Sequence, residues 1–195
     1  MFDLTATTAR TAGLATHVQD DQLADPTPMD APVEQLVQHL LGLSVAFRDA
    51  AAKIDGPTTN TPPQPVTEPL PPGWRELLAE RLTELAEAWQ EPAAWEGMTR
   101  AGGVELPGEV CGLIALDEVL LHGWDLAVAT GQAYQPGTDE LEAIVPIVTP
   151  NPDPEQAAAE REGMFGAPVA VAADAPLLDR VLGMAGRDPA WRSGH

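Results

Sequence analysis

Glu118, His122 and Asp125 stand inside "ALDEVLLHGWDLAVATG", residues 115–131, a run otherwise made mostly of leucine, valine and alanine and closed by a glycine. On a helix turning about 100 degrees per residue, Asp125, Glu118, Cys111 and His122 fall within an arc of roughly 60 degrees. A glutamate and a histidine four residues apart can hold one metal ion from the same side. A facing helix must then supply a third ligand. His39, in "VEQLVQHLLGLSVAF", projects at the margin of an apolar face beside Leu43, Ala46 and Ala50. His39, Glu118 and His122 together make two imidazole nitrogens and one carboxylate oxygen. That set suits zinc, nickel, iron or cobalt and leaves coordination positions open.

A plainer reading competes with this one. The polar arc is also what a solvent face looks like, and an exposed Glu-His pair at this spacing contributes a few tenths of a kcal/mol at most. A lone histidine beside apolar residues is usually a satisfied core residue. Against that, no lysine or arginine occurs between Glu109 and Gly131, and the arc is flanked by the small Ala115 and Ala129. Leu116, Val119, Leu120, Leu121, Trp124 and Leu126 cover most of the rest, as on a buried helix; Asp117 is the main polar exception. Geometry alone leaves the two readings even. Cys111 reads as a small buried filler, Trp124 as bundle packing, His17 as an exposed or capping residue, and His195 as terminal.

The elements that must position these groups are helical. The spacing predicts a first helix over roughly residues 4–18 and a second over 33–53, capped by Asp30 with Pro32 in its first turn. Leu36, Leu40, Leu43 and Phe47 form the second helix's apolar stripe, with Glu34, Gln35, Gln38, Asp49 and Lys53 facing away. A proline-rich connection, "IDGPTTNTPPQPVTEPLPPG", precedes a third helix, "WRELLAERLTELAEAWQ", with Leu78, Leu82, Leu85 and Trp89 on one side. The weakly structured "EPAAWEGMTRAGGVELPG" leads to the fourth helix, about 108–130, stopped by Gly131. Beyond it, "DELEAIVPIV" predicts a short helix interrupted by Pro146, "NPDPEQAAAEREG" a mobile stretch and "FGAPVAV" an extended segment. "DAPLLDRVLGMAG" predicts a last helix with Asp174 as cap, Pro176 in its first turn and Gly186 at its end. The expected architecture is all-α: one domain over 1–195, with a four-helix core over about 1–131 and a C-terminal appendage over about 132–195.

Composition narrows the partners. A formal net charge of -20 over 195 residues repels nucleic acid and anionic membrane surfaces. No apolar run reaches the length of a membrane span, and "MFDLTATTAR" lacks a signal peptide's regions. A single cysteine excludes an internal disulfide framework and fits a reducing compartment. A soluble cytoplasmic protein is expected. The acidic surface permits a homodimer without requiring one.

"DAPVEQLVQHLLGLSVAF" resembles the His-bearing helix of the DinB-like, mycothiol-dependent maleylpyruvate isomerase metal-binding superfamily. "LDEVLLHGWDLAVATG" resembles its second ligand helix, and "REGMFGAPVAVAADAPLLDRVLGMAGRDPAW" the end of an uncharacterised metal-binding branch of it. The resemblance implies an up-down-down-up four-helix bundle binding a divalent metal, usually zinc, through His39, Glu118 and His122. Relatives often carry a cysteine and an aromatic residue just before the second helix; "TPMDAPV" has neither.

Relatives of this kind use mycothiol or bacillithiol, transferring the thiol to an electrophile or isomerising an adduct. The resemblance therefore implies a thiol-dependent S-transferase or isomerase acting on a small electrophile. Coordination to a metal lowers a thiol's pKa, which makes such chemistry reasonable for this ligand set. Asp125 is a candidate for orienting one histidine through its second ring nitrogen. A non-catalytic metal- or small-molecule-binding stress or resistance protein is the alternative, and a structural helical dimer a third. No motif identifies a thiol-recognition loop or a catalytic arginine.

Overall fold

A computed structural model of the chain describes residues 1–62, 68–161 and 164–193. His195, residues 162–163 at the end of the stretch expected to be mobile, and residues 63–67 of the proline-rich connection lie outside the described residues. The chain is mostly helical, with a single two-stranded sheet among the described residues. In chain order the elements begin with α1 (Thr5–His17), α2 (Val33–Ala51), the short α3 (Pro57–Asn60), α4 (Trp74–Ala88) and the short α5 (Pro92–Trp95). There follow β1 (Met98–Ala101), β2 (Val104–Pro107), α6 (Gly108–Ala129), α7 (Thr138–Val148), α8 (Pro154–Arg161) and α9 (Leu177–Met184).

The four long helices α1, α2, α4 and α6 make the core. Helix α1 packs on α4 and α6, and α2 packs on the same two, so each helix has two neighbours. The expected apolar stripes bury as their periodicity requires: Leu36, Leu40, Leu43 and Phe47 on α2 and Leu78, Leu82, Leu85 and Trp89 on and just after α4 all lie in the core, and the two helices pack together. Helix α6 is buried over most of its surface from Cys111 through Ala129, as a helix apolar nearly all round is expected to be.

Several local expectations need correction. Asp30 does not cap α2; it sits at φ 56 within a turn in which Thr27 N–H and Thr27 Oγ1 both donate to the Ala31 carbonyl. Pro32 itself occupies the cap position, with no side-chain capping bond. Gln38 and Asp49 are buried rather than turned to solvent. Each has local partners: Gln38 Nε2 donates to the Glu68 carbonyl, and Asp49 accepts from Thr58 Oγ1 and Arg48 Nε.

The stretch before α6 is ordered. Its Gly102-Gly103 pair, both at positive φ, closes a two-residue hairpin between β1 and β2. Helix α7 runs through Pro146 to Val148, because a proline this near the C-terminal end removes only one bond of the last turns. Residues 154–161, expected to be mobile, form α8, whose first backbone N–H groups at Glu155 and Gln156 donate to Asp153 Oδ1. Residues 165–171 form no strand. Val169 N–H instead donates to the Gly183 carbonyl at 2.9 Å. Helix α9 starts after Pro176, so Asp174 is not its cap. Helix α7 lies on α6, and α9 lies on α7. None of the helices among the described residues is long and apolar enough to cross a membrane.

Candidate metal centre

One turn of α6 separates Glu118 from His122, and the i,i+4 spacing brings their side chains together. His122 Nε2 lies 3.0 Å from Glu118 Oε2. Helix α2 presents His39 from across the interface, with its Nε2 3.3 Å from the same carboxylate oxygen. The two imidazole rings meet edge to face, their centroids 4.8 Å apart. Taking one ligand atom from each of the three residues, all lie within 4.8 Å of one another. Four-coordinate zinc holds nitrogen and oxygen ligands at about 2.0–2.2 Å, which sets neighbouring ligand atoms roughly 3.3 Å apart. The two spacings to Glu118 Oε2, 3.0 and 3.3 Å, are close to that value, and the donor set fits a borderline divalent ion.

Burial is uneven across the centre. The His122 side chain is 8% exposed, whereas those of His39 and Glu118 are 31% and 25% exposed. The centre is therefore closed at His122 and partly open at His39 and Glu118. The solvent-face reading of the α6 arc fails on the same ground: Asp125 is fully buried and His122 nearly so.

Behind His122, its second ring nitrogen is occupied. His122 Nδ1 stands 3.0 Å from Asp125 Oδ2, one turn further along α6. Asp125 accepts in turn from Arg187, whose Nε donates to Oδ1 at 2.9 Å and whose Nη2 donates to Oδ2 at 2.8 Å. Burial works against the Asp125 charge, but Arg187 and His122 hold its carboxyl below the usual range. Burial also works against a charged His122, yet its bonds to Asp125 and Glu118 carry its pKa up to about 9. Glu118 resists burial through His122 and His39, which hold its carboxyl well below the usual range. Asp117 is buried near the same charges: burial, with the Glu118 charge adding to it, pushes its carboxyl well above the usual range. Its Oδ1 has no hydrogen-bond partner among the described residues.

The remaining candidates do not join the cluster. Cys111 is fully buried, and burial pushes its thiol up to about 12. Trp124 packs in the core. His17 is exposed at the end of α1, with Nδ1 2.8 Å from the Gly13 carbonyl. Arg187 was not singled out from the sequence, although a signal for it existed. Helix α6 buries Asp117 and Asp125 with no lysine or arginine of its own, which calls for a cation from another element.

The sequence profile described as "Mycothiol maleylpyruvate isomerase N-terminal domain" matches residues 4–127, more than half of the chain. The chain belongs to that family. All three candidate ligands and Asp125 lie inside the matched stretch, and Arg187 lies beyond it. The chain is similar to an uncharacterized protein of Mycobacterium tuberculosis, found in strains CDC 1551 and H37Rv. The identity is 33% over 127 residues, covering 63% of this chain and 62% of the relative. The fold is similar to that in a crystal structure of the mycothiol-dependent maleylpyruvate isomerase, with a TM-score of 0.54 and 17% identity. That match covers 74% of this chain and 64% of the other. The matches thus span just under two thirds of the length of each relative.

Proposed function

We propose that this chain holds one divalent metal ion, zinc in the first instance, on His39, Glu118 and His122. In this reading it uses a small thiol of the mycothiol type to transfer to, or isomerise, a small electrophile. The observation that carries the reading is the gathering of the three ligand atoms within 4.8 Å of one another, with the far nitrogen of His122 already held by a buried carboxylate. A carboxylate on Nδ1 keeps that nitrogen protonated and turns the Nε2 lone pair toward the ion, the usual arrangement behind a metal-bound histidine.

A bound ion with three protein ligands supplies an open position where a thiol loses its proton near neutral pH. The protein's own residues do the rest. His122, Asp125 and Arg187 form the fixed wall. The partly exposed His39 and Glu118 leave the opposite side accessible to a small molecule. Membership of the mycothiol maleylpyruvate isomerase N-terminal domain family supports the choice of thiol and of reaction class. A reducing cytoplasm, where such thiols occur, goes with the same reading.

Protein purified without chelator is expected to contain about one divalent metal ion per chain by elemental analysis. His39→Ala and His122→Ala should lose most of it, and full loading in both variants would contradict the proposed ligands. Metal-loaded protein given mycothiol and a panel of electrophiles should consume thiol faster than the uncatalysed mixture. Metal binding with no such rate across the panel would leave a binding protein in place of an enzyme.

A further inference from the structure

Arg187 comes from outside the stretch that defines the family, yet it ends on the buried carboxylate behind His122. Its approach is fixed by backbone geometry. Helix α9 ends at Met184, and Gly186 then takes φ +81, after which Arg187 N–H donates to the Leu182 carbonyl at 2.8 Å. Gly186 also lies against Gly166 so closely that a Cβ there would stand 2.7 Å from the Gly166 carbonyl. Only glycine satisfies both demands, so the turn that aims Arg187 is set by a close backbone contact. The Arg187 side chain is 10% exposed, and its guanidinium grips a fully buried carboxylate through both oxygens.

We infer that Arg187 is a positioning residue for the metal centre: it holds Asp125 so that Asp125 can hold His122. The segment after the family domain thereby becomes part of the site without touching the ion. The inference rests on the metal reading proposed above. A planar fork on a carboxylate fixes the plane of that carboxylate, which one point charge does not do. With the plane fixed, Oδ2 is held on the line to His122 Nδ1, and the imidazole keeps one orientation. In Arg187→Met the Asp125 carboxylate loses the guanidinium that grips both its oxygens and is free to turn away from the ring.

The test is zinc affinity by competition with a chromophoric chelator, with the visible spectrum of the Co²⁺-loaded protein as second readout. Arg187→Met and Asp125→Asn should each weaken zinc binding about 10- to 100-fold, the usual effect of removing support behind a ligand. Both should alter the cobalt spectrum. Arg187→Lys, which keeps the charge but loses the fork, should fall between wild type and Arg187→Met. The double variant Asp125→Asn/Arg187→Met should bind no more weakly than the weaker single variant, since the arginine acts only through the aspartate.

Wild-type affinity with an unchanged cobalt spectrum in folded Arg187→Met would overturn the inference. So would losses that simply add in the double variant. If the chelated Arg187→Met shows no cooperative melting transition, Arg187→Lys carries the test, and wild-type affinity there overturns the inference equally. Failure of the wild-type protein itself to bind zinc would remove the metal reading, and the positioning role with it. Equal binding by wild type and the Arg187 variants would remove the positioning role alone.

Discussion

Asp125 on α6 binds Arg187 through both of its carboxylate oxygens, and the oxygen it shares with Nη2 also faces Nδ1 of His122. One fully buried carboxylate thus connects the C-terminal segment to a candidate metal ligand. Breaking a buried pair by removing one partner strands the other charge in a low-dielectric interior. This typically costs about 3–5 kcal/mol, whereas removing both partners costs much less. Asp125→Ala should therefore lower the stability of metal-free protein by an amount in that range, measured by urea denaturation. Asp125→Ala/Arg187→Met should recover part of the loss.

The pH dependence of metal-free protein follows from His122. Its pKa is raised from the ordinary histidine value of 6.5 to about 9 when folded. The stabilisation that comes with the imidazolium is fully present below about 6.5, the unfolded value, and is lost as pH rises through about 9. The urea midpoint of chelated protein should fall between pH 7 and pH 9. A ligating histidine must be neutral, so zinc binding at pH 7 should release about one proton, seen by calorimetry in buffers of different ionisation enthalpy. A midpoint flat with pH, or no proton release, would contradict this assignment.

Cys111 should be inert in the folded protein. A fully buried thiol with a pKa pushed up to about 12 offers almost no thiolate at pH 8. A disulfide reagent should label it only on the timescale of unfolding, and at once in denaturant. Rapid labelling of native protein would show that the α6 interior opens.

Gly186→Ala should loosen the C-terminal segment. The substitution places a side chain at φ +81 and drives its Cβ against Gly166. Strain of this kind costs on the order of 1–3 kcal/mol. A fall in melting temperature is expected, with faster amide exchange around residues 181–187. Wild-type stability would mean that the Gly186 turn can relax without cost.

Periodicity was enough to read the helices from the sequence, because Leu36, Leu40 and Leu43, like Leu78, Leu82 and Leu85, repeat with the turn of the helix they bury. The convergence of His39 with Glu118 and His122 was legible only as a coincidence of residue types, since nothing in either helix states which faces meet. Chain direction at short range was harder. The Gly102-Gly103 hairpin was read as loose structure, although two adjacent glycines of positive φ are what a tight hairpin turn needs. Asp30 looked like a cap, but the Thr27-to-Ala31 turn placed it at positive φ instead. Arg187 was the least legible part of the site. It lies 62 residues from Asp125, and only the charge imbalance of α6 pointed to a cation at all.

The most direct measurement of the central claim is the position of a bound ion, by anomalous diffraction from crystals of protein purified without chelator. The account predicts one ion with His39 Nε2, Glu118 Oε2 and His122 Nε2 each at about 2.0–2.2 Å, and Asp125 still on His122 Nδ1. An ion bound elsewhere, or His39 turned away from an ion held by other groups, would contradict it.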